Sequence, residues 1–197
     1  MDLFVLYLEG FKPYDGERFL RIAEEILASG RQIIMYKTGR TKAGAAAVAS
    51  HTASMTGDYE VLNQILTGIG IIMPETLNEV EDAIKVLTLL GGKKIRGRRV
   101  GILANEGFEC SVAVTPFMVT LPAGKDHRED IARKDSNTSV TIDVFEKTDK
   151  PMVISLDSGE LHGPAVEMME SAGLPCFRKT DRAMKALDVF LRYSNRS

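Results

Sequence analysis

The sequence predicts an α/β protein built on mostly parallel sheets and divided into two parts. Three observations predict it. Short apolar runs alternate with segments of helical periodicity, and a helix between strands is what returns the chain to the same sheet edge. The runs are too short for buried helices and are bounded by glycine or proline. Finally, Gly91 to Arg99 (GGKKIRGRR) is glycine-rich and basic without an apolar period, after which the alternation restarts. The boundary this implies separates residues 1–91 from 98–197.

Each element follows in order. Residues 3–8 (LFVLYL) read as a buried strand. Residues 15–29 read as an amphipathic helix with Phe19, Ile22, Ala23, Ile26 and Leu27 on one stripe, and Gly30 ends it. A second strand covers 32–36. Helical periodicity resumes at Tyr59, and a third strand, 69–73, stops at Pro74. Thr76-Leu77-Asn78-Glu79 has the form of a capping box. Its helix extends to about Leu90, with Leu77, Val80, Ile84 and Leu87 inward.

The second part opens with a strand at 100–104 and an extended apolar stretch at 112–121. A polar segment (124–139) and a weak helix near 140–148 follow. Then come a strand at 152–156, a helix near 163–172 with Pro164 in its first turn, a short edge strand at 175–177 and a final helix at 181–193. One join does not fit an intact domain. Only six residues separate Asn105 from Val112, whereas a parallel crossover needs about a dozen or more. Either these strands are not parallel neighbours or a crossover unit is absent.

Bulk properties narrow the partners. The net charge is −2, which gives no global pull on a polyanion. The basic run at 93–99 lacks interleaved aromatics for base stacking, so it reads as a solvated linker, and no nucleic-acid partner is expected. No apolar run is long enough to span a bilayer. Met1 leads straight into a strand-like run, so neither a signal peptide nor a membrane is expected. Cys110 and Cys176 read as reduced thiols of a cytoplasmic protein. The methionines, Met168, Met169 and Met184 among them, read as core filler.

The segment at 38–57, TGRTKAGAAAVASHTASMTG, is of a different kind: 15 of its 20 residues are Gly, Ala, Ser or Thr. Small residues let backbone approach a ligand, and exposed N–H groups in such loops form anion sites. The helix starting near Asp58 adds a positive end, and Ser50, Thr52, Ser54 and Thr56 add hydroxyls. A single imidazole, His51, sits among them. The terminal G-K-[ST] of a Walker loop is absent. Composition leaves two readings open, a seat for a phosphorylated histidine and a connecting loop with an incidental one.

The stretch from Tyr36 to Gly57, YKTGRTKAGAAAVASHTASMTG, closely resembles the active-site loop of NDP-forming acyl-CoA synthetases, a family related to the succinyl-CoA synthetase α-subunit. The resemblance implies that His51 becomes phosphorylated and relays phosphoryl between an acyl phosphate and ADP. It further implies that Glu9, matched to a glutamate at the end of the strand before the loop, orients the histidine; a carboxylate on one ring nitrogen leaves the other nucleophilic. Gly44, Ser50, Thr52, Ser54, Thr56 and Gly57 would hold the phosphoryl oxygens. Residues 98–111 (RRVGILANEGFECS) resemble the opening of the next flavodoxin-like domain. Residues 117–193 resemble its end, through LPAG at 121–124, HREDI at 127–131, DSG at 157–159 and AGLP at 172–175.

The resemblance therefore implies flavodoxin-like, succinyl-CoA synthetase-like parallel sheets in two partial domains. The first would be a phosphohistidine-bearing domain, 1–91, lacking its first strand and helix. The second, 98–197, would be internally shortened at 106–112. CoA, ATP or ADP and Mg²⁺ would serve the complete enzyme, none held tightly by this chain alone. Partners would be CoA-binding and ATP-grasp subunits or further copies of the chain. The alternative is a catalytically inactive, truncated homologue acting as an interaction module. No metal site is expected, because His51, His127 and His162 lack ligand spacing. His127, in a charge-dense run, and His162, after the DSG turn, read as surface residues; the lesser alternatives are a substrate or interface role for His127 and a ligand role for His162.

Overall fold

The computed structural model describes residues 3–41, 43, 44, 46, 58–95, 130–156 and 160–194. The strand expected at 100–104, the stretch at 112–121 and the short join before it lie outside these residues. The chain divides into two compact units, one of residues 1–84 with 192–197 and the other of residues 85–191.

In the first unit, β1 (Leu3–Leu8) and β2 (Gln32–Lys37) pair in parallel, from Leu3 opposite Gln32 to Leu8 opposite Lys37. The crossover carries α1 (Asp15–Ala28), which leaves through Gly30 at φ 79°, a left-handed conformation that glycine adopts without Cβ strain. Phe19, Leu20, Ala23, Ile26 and Leu27 of α1 pack on Ile33, Met35, Leu66 and Ile71. Ile22, expected on that stripe, is exposed; Leu20 lies on the packed side instead.

Asp58 opens α2 (Tyr59–Ile69). Its Oδ1 accepts from the backbone N–H of Glu60 (2.8 Å) and Val61 (3.4 Å), which satisfies two of the helix's orphan donors. The strand expected at 69–73 is reduced to a single rung. Ile69 completes α2, Gly70 caps it at φ 109°, and only Ile72 pairs, parallel to Ile34. Ile72 N–H donates to Ile33 O (2.9 Å) and Met35 N–H donates to Ile72 O (2.8 Å). Pro74 then ends the ladder because it has no N–H to donate.

The capping box forms with a shift. Thr76 Oγ1 accepts from Glu79 N–H (3.2 Å), while Glu79 Oε2 accepts from Glu75 N–H (2.7 Å), one residue earlier than the motif requires. It opens α3 (Leu77–Leu89), which buries Val80, Ala83, Val86 and Leu87 and leaves Ile84 half-buried. Leu77 is exposed rather than inward, since at 3.6 residues per turn it lies about 120° around the helix from Ala83.

In the second unit, Ser136 Oγ accepts from Ser139 N–H at the start of α4 (Asn137–Lys147). Strands β3 (Ile154–Ser155) and β4 (Cys176–Phe177) pair in parallel, Ile154 opposite Cys176. Hydrogen bonds from Ile154 N–H to Pro175 O and from Leu156 N–H to Phe177 O lengthen the pair. Between them a 3-10 turn, Glu160–His162, leads into α5 (Gly163–Ser171), with Pro164 in its first turn. The last helix, α6 (Thr180–Tyr193), buries Ala183, Ala186, Leu187 and Phe190. Met169 is core, as expected, but Met168 is exposed and Met184 half-buried.

Candidate functional site

Parallel pairing brings the carboxyl ends of β1 and β2 together. The ladder closes at Leu8 and Lys37, where Thr38 N–H donates to Leu8 O (3.1 Å). Glu9 and Thr38 are thus neighbours at one sheet edge, where open parallel sheets place their ligands. The strand that leads into the glycine- and alanine-rich segment ends at Lys37. Glu9 follows Leu8 at the end of the neighbouring strand β1.

Lys37 is the unexpected member of this edge. Strand alternation puts it on the same face as Ile33 and Met35, and it is buried at 3% exposure. Such a lysine must have its donors satisfied. Its Nζ donates to Glu9 O (2.7 Å) and to Thr38 O, so one ammonium ties the two strand ends together. Burial, and then the nearby Arg40 charge, hold its pKa below the usual lysine value against the opposing pull of Glu9. Arg40 itself donates to three backbone carbonyls, those of Lys37, Pro74 and Glu75.

Of the residues singled out in the sequence, Glu9 lies at this edge with its side chain exposed. Gly44 is also described. Its N–H donates to Thr41 Oγ1 (3.1 Å), and Ala43, Gly44 and Ala46 are helical. A Cβ at Gly44 would meet Thr41 Oγ1 at 3.2 Å and Gly39 Cα at 3.5 Å, so glycine here admits a close turn while its amide is already used. The α2 amino terminus is likewise occupied, by the Asp58 carboxylate, and does not offer its Glu60 and Val61 amides to a ligand. His51, Ser50, Thr52, Ser54, Thr56 and Gly57 lie outside the described residues, as do Cys110 and His127.

In the second unit the edge at the ends of β3 and β4 is hydroxylic. Ser155 Oγ and Thr180 Oγ1 are 3.0 Å apart. His162, expected at the surface, is buried at 7% exposure, because the 3-10 turn folds it in ahead of α5. Its pKa is lowered by burial and then by Arg178. Sequence reasoning missed Lys37 and Arg40. A charged residue closing the apolar run QIIMY was the available signal for Lys37. For Arg40 it was a cation between Gly39 and Thr41, close to Tyr36.

A family model, the succinyl-CoA ligase like flavodoxin domain, matches residues 1–87. Residues 1–87 are thus similar to this domain family. The full chain is similar to acetate–CoA ligase (ADP-forming) I of Archaeoglobus fulgidus, 26% identical over 98% of this chain and 34% of the relative. It is also similar to the α-subunit of the corresponding Pyrococcus furiosus ligase, 24% identical over 96% of this chain and 52% of that subunit. Among solved structures, the dinucleotide-forming acetyl-coenzyme A synthetase 1 of Candidatus Korarchaeum cryptofilum, in complex with phosphate and ADP, superposes with a TM-score of 0.75. That match is 20% identical and covers all of this chain and 54% of the other. The fold is accordingly the flavodoxin-like one of ADP-forming acetyl-CoA synthetases, with parallel strands flanked by helices. The chain spans about half the length, or less, of these relatives. The Archaeoglobus alignment runs over 240 positions, whereas 98% of 197 residues is about 193, so about 47 aligned positions have no counterpart here.

Proposed function

We propose that this chain is a component of an NDP-forming acyl-CoA synthetase and relays phosphoryl through His51. In the complete enzyme, phosphate displaces CoA from acyl-CoA, giving an acyl phosphate. A ring nitrogen of His51 takes the phosphoryl group, releasing the acid, and ADP then takes it from His51 to give ATP. Each step is reversible. Glu9 holds the proton on the other ring nitrogen and so keeps the attacking nitrogen free. The observation that carries this reading is the edge built by β1 and β2. Glu9 ends one strand, the histidine-bearing segment leaves the other, and the Lys37 ammonium joins the two ends.

The Gly44 amide and the α2 amino terminus are already engaged, so the phosphoryl oxygens fall to Ser50, Thr52, Ser54, Thr56 and Gly57. Lys37 and Arg40, the cations at this edge, do not fit a nucleotide by themselves, since both spend donors on backbone carbonyls. CoA, the nucleotide and Mg²⁺ therefore belong with partner domains of CoA-binding and ATP-grasp type. We further infer that the second domain is shortened between Asn105 and Val112, where only six residues join two strand-like runs.

The test is to incubate the chain with its nucleotide-binding partner and ATP labelled in the γ-phosphate. Wild type should take up acid-labile, base-stable label, His51→Ala none, and Glu9→Gln should slow uptake by about a hundredfold or more. Failure of wild type to label with any such partner would sink the relay. It would favour the second reading, a catalytically silent interaction module, for which β1 offers exposed Phe4, Val5 and Tyr7.

A further inference from the structure

We propose that Arg40 is a positioning residue, a clamp that joins the start and the end of the histidine-bearing segment and fixes the span its chain must cross. Three sets of contacts carry this. Arg40 Nε donates to the carbonyl of Lys37, the last residue of β2 (3.0 Å). The two terminal nitrogens donate to the carbonyls of Glu75 (2.6 Å) and Pro74, between the Ile72 rung and the capping box. The guanidinium carbon also lies 5.1 Å from the ring centroid of Tyr36 and 5.2 Å from that of Tyr59, within cation–π range. Tyr36 belongs to β2, before the segment, and Tyr59 is the first residue of α2, after it. One side chain therefore touches both ends of the stretch from Thr41 to Asp58 and anchors them to the chain that continues the sheet.

The chemistry requires arginine. Three carbonyls in different directions and two aromatic rings call for a planar group with donors spread around its edge, which an ammonium does not provide. The carbonyls it serves stand where the ladder stops, at the end of β2 and past the single rung at Ile72, so Arg40 replaces strand hydrogen bonds there. Holding both ends also settles the loop-closure entropy before any ligand arrives. The contacts themselves are independent of the phosphoryl relay; their consequence for catalysis rests on it.

The experiment therefore has two readouts on the full chain, comparing wild type, Arg40→Ala and Arg40→Lys. The first is amide hydrogen exchange, which does not depend on the relay. Both variants should exchange roughly tenfold faster over residues 38–60, with β1 and α1 unchanged. Added guanidinium ion should restore protection in Arg40→Ala, and ammonium should not. Unchanged exchange over 38–60, or an equal rise throughout the first unit, overturns the clamp. The second readout is His51 labelling with the nucleotide-binding partner. Both variants should label about a hundredfold more slowly, as expected for a misplacement of about 1 Å, with half-saturation in ATP unchanged. A normal rate overturns the catalytic part. Absence of label in wild type counts against the relay and leaves the exchange readout to decide the clamp.

Discussion

Among the described residues each unit has one pair of parallel strands, and the two pairs are opposites. In the first unit β1 and β2 run side by side for six residues, yet β1 leaves Phe4, Val5 and Tyr7 exposed, Tyr7 at 64%. In the second unit β3 and β4 pair for only two residues, and all four are buried. Rung number and burial are thus decoupled, and burial dominates stability because apolar area removed from water contributes more than the small net gain of a backbone hydrogen bond. The ends of the pairs differ as well. The long pair ends in Glu9, Lys37 and Arg40, the short one in a Ser155–Thr180 hydroxyl contact. Extended pairing in the first unit serves to deliver charged groups to one edge, while the second is chiefly core.

Phe190→Ala tests that contrast most severely. Phe190 is 1% exposed, and its truncation should cost about 3–5 kcal/mol in denaturant unfolding; a loss below about 1 kcal/mol would break the contrast. Lys37→Met should cost less, about 1–3 kcal/mol, by leaving the Glu9 and Thr38 carbonyls without their donor. Its pH dependence sharpens the point. The folded pKa of Lys37 lies below the unfolded value, so the unfolded chain binds more protons, and wild type should gain on the variant as pH rises through the folded value toward about 10.5. Val5→Thr should shift unfolding by no more than about 0.5 kcal/mol. A larger loss would mean that a second copy or partner covers this face.

Much of this architecture was legible in the sequence because it rests on local periodicity. The helices at 15–28, 137–147, 163–171 and 180–193 follow stripes, caps and a first-turn proline that act within a few residues. What misled was context. Ile69 to Met73 has a strand's composition, but the α2 stripe claims Ile69 and Gly70 offers a left-handed cap, so one rung survives. Leu77 is apolar yet sits off the buried face, and His162 looks like a turn residue until the 3-10 turn folds it in. At the candidate site, Glu9 and Gly44 could be named from resemblance. The roles of Lys37 and Arg40 could not, since they depend on carbonyls from Glu9, Pro74 and Glu75, which only the parallel pairing and the Ile72 rung bring near.

Cys176 lies inside the short pair and makes the second unit observable. Burial, reinforced by Glu170, pushes its thiol up to about 12, and thiolate is the reactive form. In the closed unit this sulfur is therefore shielded from alkylating reagents and from mild oxidants alike. Its modification rate, resolved from that of Cys110 by peptide mapping, becomes a clock for how often β3 and β4 separate.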